Sequence, residues 1–163
     1  MLSQLAFSDD ALILDAPSGF GRNALALADR GYDVIAVDKD LKRLGALKQL
    51  LADQPPAGKV VVICADLITG RLPFGAFSFS TVLCIHYPVQ RIVLDLKSVL
   101  KPGGHLYIET FQGHGMNYLE LPKAGEILRA LQDCEMLIYK ERPTGPPSEQ
   151  AVVVEALARK RLA

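Results

Sequence analysis

A chain of 163 residues is the size of one domain around one hydrophobic core, with no room for a separate substrate domain. Half of its residues are apolar and 22% are charged, a balance that argues against extended disorder. The 18 basic side chains match 18 acidic ones, so no overall field draws the chain to nucleic acid or anionic lipid, and no run approaches the ~20 apolar residues of a membrane helix.

Residues 1–7 lack the basic start and long apolar stretch of an export signal. Short apolar runs then alternate with helical patterns, the signature of βαβ units around a parallel sheet covered on both faces. The first strand reads Ala11-Leu12-Ile13-Leu14 and ends at Asp15. A glycine-containing turn leads into a helix whose stripe is Ala24, Leu27 and Ala28 and whose C-terminal cap is Gly31. Asp33 to Val37 is the second strand. Asp40 caps a helix with Leu41, Leu44, Leu47 and Leu51 on one face, ended by Pro55 and Pro56. Lys59 to Cys64 is the third strand, and residues 67–78, with Gly70, Pro73 and Gly75, read as a loop.

Phe79 to Ile85 reads as a buried fourth strand. A helix with Ile92, Leu96, Val99 and Leu100 on its apolar face follows, broken by Lys101-Pro102-Gly103-Gly104 before a fifth strand from His105 to Phe111. Residues 112–121 form a longer loop, after which Pro122 suits the first turn of a helix carrying Ile127, Leu128 and Leu131. Glu135 to Arg142 and Gln150 to Leu157 flank Thr144-Gly145-Pro146-Pro147, a connection too short for a helical crossover, so these strands are antiparallel. Arg159, Lys160 and Arg161 read as a short solvated tail. Cys64, Cys84 and Cys134 show neither CxxC nor Cys/His spacing; they read as reduced core thiols with no structural metal, which points to the cytoplasm.

Chemistry concentrates in the turn after the first strand, Asp15 to Asn23, where Gly19 and Gly21 let the backbone bend sharply and approach a ligand. Such a glycine string can also serve a plain turn. Asp38, at the end of the second strand and 17 residues beyond Gly21, stands where an open α/β sheet places a carboxylate for ribose hydroxyls, which implies an adenosine ligand. Gly19-Phe20-Gly21-Arg22-Asn23-Ala24 can be read as a dinucleotide fingerprint. Asp15 argues against it, because a carboxylate there repels a pyrophosphate and attracts an ammonium. Asp66 stands either to accept from an adenine amino group, with Leu67 at the ring edge, or to cap the turn that follows.

With these residues in place the chain resembles the class I S-adenosylmethionine-dependent methyltransferases over nearly its whole length. Asp15 through Asn23 looks like the family's acidic-start glycine loop, Asp38 its ribose carboxylate, Ala65-Asp66-Leu67 its adenine motif, and Leu100 to Gly104 the turn before its fifth strand. Gly21-Arg22-Asn23-Ala24-Leu25 with Val37-Asp38-Lys39 is also similar to the tellurite-resistance methyltransferases. One departure is Pro17, which stands for the first glycine of the usual loop and removes an N–H. The resemblance implies one domain over 1–163: a Rossmann-like, doubly wound, three-layer αβα fold whose seven-stranded sheet has the order 3-2-1-4-5-7-6, with the last strand antiparallel. It implies a cofactor set of Asp15, Ser18, Gly19, Gly21, Asp38, Lys39, Asp66, Leu67 and Cys84 around S-adenosyl-L-methionine.

Methyl transfer from a sulfonium asks the protein to align an acceptor, exclude water and remove a proton where the nucleophile requires it. His86, after the fourth strand, is the candidate base or orienting group, although a histidine there also serves as a hydrogen-bonded structural group. Tyr87, His114 and Tyr118 are candidates for the acceptor pocket; His114 also reads as a solvated loop residue. Glu109, alternating with Ile108 and Thr110, faces either the pocket or a helix layer and is given no catalytic part, and His105 reads as structural. The fourth strand lacks the Asn/Asp-Pro-Pro-aromatic motif of base-modifying enzymes and continues Ile85-His86-Tyr87-Pro88, so a small-molecule acceptor is expected. Two other readings remain: a noncatalytic S-adenosylmethionine-binding or scaffold protein, and an NAD-binding oxidoreductase.

Overall fold

The computed structural model describes residues 11–69, 72–112, 121–145 and 151–162. Seven strands form one sheet of order β3-β2-β1-β4-β5-β7-β6. They are β1 (Leu12–Asp15), β2 (Asp33–Asp38), β3 (Val60–Cys64), β4 (Phe79–Ile85), β5 (Leu100–Gln112), β6 (Cys134–Pro143) and β7 (Val152–Lys160). β1 lies parallel to β2 and β4, β2 to β3, and β4 to β5, whereas β7 is antiparallel to β5 and β6. β6 and β7, joined by a connection too short for a helical crossover, pair antiparallel as the sequence indicates.

Alternation along the strands fills two cores. Ile13, Val34, Ala36 and Leu83 meet Ala24, Leu27 and Ala28 of α1 (Arg22–Ala28) and Leu47 of α2 (Leu41–Asp53) on one face. Leu14, Val82, Cys84, Leu106 and Ile108 meet Leu96 and Val99 of α3 (Val93–Val99) and Ile127 of α4 (Glu126–Ala130) on the other. Both faces of the sheet are therefore covered, and ligands are left the edge where the parallel strands end.

Several local expectations are corrected. Leu41 is 72% exposed, because the first residue of a helix capped by Asp40 points off the end of the stripe; Leu44 and Leu47 carry the burial. Cys64 is exposed at the end of β3, so it is no core thiol, while Cys84 and Cys134 are buried; all three are free. Leu100 belongs to β5 and not to the preceding helix: Lys101–Gly104 stays within the strand as an irregularity, with the register shifting between the Phe79–Leu100 and Thr81–His105 pairs. α4 begins at Glu126 rather than at Pro122, since Gly125 sits at φ +73°, outside helical geometry, and Leu128 is exposed. Arg159 and Lys160 form the end of β7 and no tail: Arg159 pairs with Glu135, and Lys160 Nζ donates to the Lys97 and Leu100 carbonyls at 2.8 and 2.9 Å.

Candidate active site

A cleft of about 360 Å³ opens where β1, β2 and β4 end, lined on one side by Pro17, Ser18, Gly19 and Asp38 and on the other by Ile85, His86 and Tyr87. The loop after β1 turns through two left-handed glycines, Gly19 at φ +57° and Gly21 at φ +78°. Their roles differ. A Cβ on Gly19 meets no other atom within 4 Å, so its backbone is bare toward open space, whereas a Cβ on Gly21 collides with the Leu47 side chain of α2. Gly19 thus serves the cleft, and Gly21, which does not line it, serves close packing of loop on helix.

Asp38 ties this loop to the end of β2. One carboxylate oxygen accepts the Gly19 N–H at 2.8 Å and the other the Asp40 N–H at 2.9 Å, with the residue only 4% exposed. Each oxygen keeps a lone pair after accepting one bond, so Asp38 retains acceptors on the cleft wall. Ser18 adds a buried hydroxyl without a partner among the described residues. An unpartnered hydroxyl, a bare glycine and an underused carboxylate on one wall fit a ligand rich in hydroxyl and amino groups, such as an adenosine carrying an amino acid.

The adenine motif is divided, and of the two roles the sequence leaves to Asp66 the structure shows the turn cap. Ala65 and Leu67 line the cleft, but Asp66 does not: its Oδ1 accepts the Ile68 N–H at 2.9 Å and its Oδ2 faces Lys39 Nζ at 3.7 Å. Asp66 therefore caps the turn, and those contacts hold its carboxyl below the usual carboxylate range. Lys39 lines the cleft as expected, together with Phe20, Arg22 and Asn23 of the glycine loop and with Asp40 and Arg43, which the sequence did not assign to the site. Arg43 is held by Asp40 at 3.2 Å and lies over the Phe20 ring at 5.8 Å, at a rim with charges of both signs.

Asp15 and Cys84 lie beneath the cleft and not on its wall. Both are fully buried, because β1 and β4 run through the centre of the sheet. Burial pushes the Asp15 carboxyl up to about 7, against the Ala24 N–H and the Asn23 amide, which favour its ionised form; neither oxygen has a partner at full hydrogen-bond geometry. The same burial, with Asp15 next to it, drives the Cys84 thiol far upward, so Cys84 is inert packing.

At the other end of the cleft His86 adopts φ +54°, unusual outside glycine. Glu109, in register with Ile85 on the neighbouring β5, holds it twice: its carbonyl accepts the His86 N–H at 2.7 Å and its Oε1 lies 3.0 Å from His86 Nε2. Tyr107 donates its hydroxyl to Glu109 Oε2 at 3.0 Å, and the Phe111 ring stacks on His86 with centroids 5.8 Å apart. The sequence left open whether Glu109 faces the pocket or a helix layer; its register with Ile85, next to His86, decides for His86. Tyr87 stands beside His86 on the cleft wall, its carbonyl accepting from Thr110 Oγ1 at 2.8 Å. Burial, then the nearby Asp66, Cys84 and Asp38, raise the Tyr87 phenol above its ordinary value. His105 lies outside the cleft lining, its imidazole lowered by burial and by Arg159. His114 and Tyr118 fall outside the described residues.

The family model described as a methyltransferase domain matches residues 13–104, more than half of the chain, from within β1 to the turn within β5. The chain belongs to the class I S-adenosylmethionine-dependent methyltransferases. Among curated relatives, it is 34% identical over 152 residues to the biotin biosynthesis bifunctional protein BioHC of Cellvibrio japonicus, covering 88% of this chain and 27% of that protein. It is 29% identical over 108 residues to the tRNA 5-carboxymethoxyuridine methyltransferase of Escherichia coli K12, covering 64% of this chain and 41% of that one. The chain thus spans well under half the length of these relatives. A solved S-adenosylmethionine-dependent methyltransferase from Methanosarcina mazei shares the fold with a TM-score of 0.77 at 18% identity, covering 96% of this chain and 95% of its own.

Proposed function

We propose that this chain, as a single methyltransferase domain, transfers the methyl group of S-adenosylmethionine to a small-molecule acceptor. The observation that carries the reading is that one cleft joins the Asp38–Gly19 wall to His86 and Tyr87, so ligand grip and acceptor chemistry meet in one space. Asp38 accepts from the ribose hydroxyls, the bare Gly19 backbone lets the ligand lie close, and Ala65 and Leu67 meet the adenine ring. Asp15, directly beneath, supplies a negative charge toward the ammonium when ionised. When bound, S-adenosylmethionine supplies an activated methyl on a sulfonium, so no covalent enzyme intermediate is needed. His86 takes the proton of an acceptor that must lose one, and Tyr87 shapes the adjoining wall.

The Escherichia coli relative is named for a tRNA. A small acceptor is favoured here because two of the three cations lining the cleft are matched, Arg43 by Asp40 and Lys39 by Asp66, which leaves Arg22 as a single charge and little field for a phosphate backbone. Among the described residues no helix is long and apolar enough to cross a membrane. The free thiols fit a cytoplasmic setting.

Thermal unfolding with S-adenosylhomocysteine, S-adenosylmethionine or NAD added in turn tests the cofactor, since a ligand of the native state raises the melting temperature. A rise with the first two alone is expected, and a rise with NAD alone overturns the reading. S-adenosylhomocysteine formation that depends on an added acceptor then separates an enzyme from a noncatalytic binding protein.

A further inference from the structure

The contacts around His86 go beyond a histidine that happens to line a cleft. Nε2 faces a carboxylate, which only accepts hydrogen bonds when ionised, so the neutral ring carries its proton on Nε2 and leaves Nδ1 as the basic nitrogen. The carboxylate is in turn fixed. Its other oxygen accepts from Tyr107, a nearly buried phenol on the same strand face, two residues away. Burial, together with the bond to Glu109, raises the Tyr107 phenol, which keeps it protonated and therefore a donor. Glu109 is mostly buried while the His86 side chain is half exposed, so the chain runs from the sheet outward: Tyr107 to Glu109 to His86. Phe111, the next residue on that face, closes one side of the imidazole.

We propose that Glu109, held by Tyr107, is a positioning residue that fixes the His86 tautomer and presents Nδ1 as a base, so that the site is built for a hydroxyl acceptor, an alcohol or a phenol. This rests on the methyltransferase reading of the cleft. The step balances with these groups alone: the acceptor O–H proton passes to Nδ1, the oxygen forms its new bond to the methyl carbon, and the sulfur keeps the electrons of the broken C–S bond, leaving as a neutral thioether. A carboxylate acceptor is already deprotonated at neutral pH and has no use for this relay.

Three histidines make the test tractable. Nitrogen-15 correlation spectra of the full chain, with the His86 signals identified by their loss in His86→Ala, report which ring nitrogen carries the proton. In the wild type Nε2 is expected to be protonated and Nδ1 bare. Glu109→Gln, whose amide can donate as well as accept, is expected to bring in the other tautomer while S-adenosylhomocysteine affinity by calorimetry stays within about twofold. A wild-type ring protonated on Nδ1 overturns the proposal without any variant being needed, and so does an unchanged tautomer in Glu109→Gln. Failure of the wild type to bind S-adenosylhomocysteine instead overturns the methyltransferase reading on which the proposal stands. Turnover of a panel of phenols that falls at least tenfold in Glu109→Gln supports the substrate class. Turnover of matched benzoates at a rate indifferent to that substitution overturns it.

Discussion

The Asp38 carboxylate accepts the backbone N–H of Gly19 at 2.8 Å, joining the end of β2 to the glycine loop across 19 residues of chain. One side chain therefore shapes the loop and offers acceptors to what the loop holds. Asp38→Ala removes both, and S-adenosylhomocysteine binding is expected to weaken by about 1–3 kcal/mol, the usual cost of leaving buried donors unpaired. Isothermal calorimetry reads this directly; an unchanged affinity takes Asp38 out of the site.

The two glycines of the loop are expected to fail in different ways. Gly21→Ala meets both the left-handed backbone and the Leu47 side chain, and should cost the fold about 2–4 kcal/mol. Gly19→Ala pays only the backbone strain, about 1 kcal/mol, yet places a methyl group in the open space beside the cleft. Urea unfolding should rank Gly21→Ala as the less stable of the two, while Gly19→Ala shows the larger loss of S-adenosylhomocysteine affinity per unit of stability lost. The reverse order would dismiss this division of labour.

His86→Ala should slow methyl transfer by about a hundredfold or more, the range of a lost general base, with cofactor affinity nearly intact. The hydrogen bonds of Asp38 and Gly19 do not involve the imidazole. Parallel loss of turnover and of cofactor affinity would assign His86 a structural role.

Asp15 predicts a pH dependence of stability. Its carboxyl is raised from 3.8 to about 7, chiefly by burial, so the folded chain holds the proton more tightly than the unfolded one. The stability this contributes is complete below the unfolded value, declines as pH rises between the two, and is gone above about 7. Asp15→Asn, which stays neutral, should gain on the wild type over that window, by an amount on the order of 4 kcal/mol at its upper limit. Denaturant midpoints at pH 5 and pH 8 provide the comparison: the variant's advantage must be larger at pH 8, and parallel profiles would contradict it.

Whatever depends on one segment at a time was legible in the sequence. β4 runs from Phe79 to Ile85 as the apolar run indicates, and Asp40 caps α2 with bonds to the Lys42 and Arg43 N–H groups because that chemistry is local. The strand order followed from the resemblance and is the one observed. What escaped depends on register between segments. Glu109 alternates with Ile108 and Thr110, and nothing in β5 alone says which face meets His86; that is decided by Ile85 lying opposite Glu109. Asp15 and Asp38 look alike as acids at strand ends. Only their positions in the packed sheet set one beneath the cleft and the other on its wall.

The two ends of the cleft hang from different parts of the molecule. The Asp38–Gly19 wall is locked by Gly21 seated on Leu47 and by Asp38, features of β1, β2 and α2, while His86 is anchored to β5 through Glu109. Few substitutions are open to the first wall, since loop shape and helix packing there are one and the same contact. The second can change residue by residue without loosening that grip. On the proposed reading, the residues that meet an acceptor can thus be exchanged while the wall that would hold the donor is left untouched.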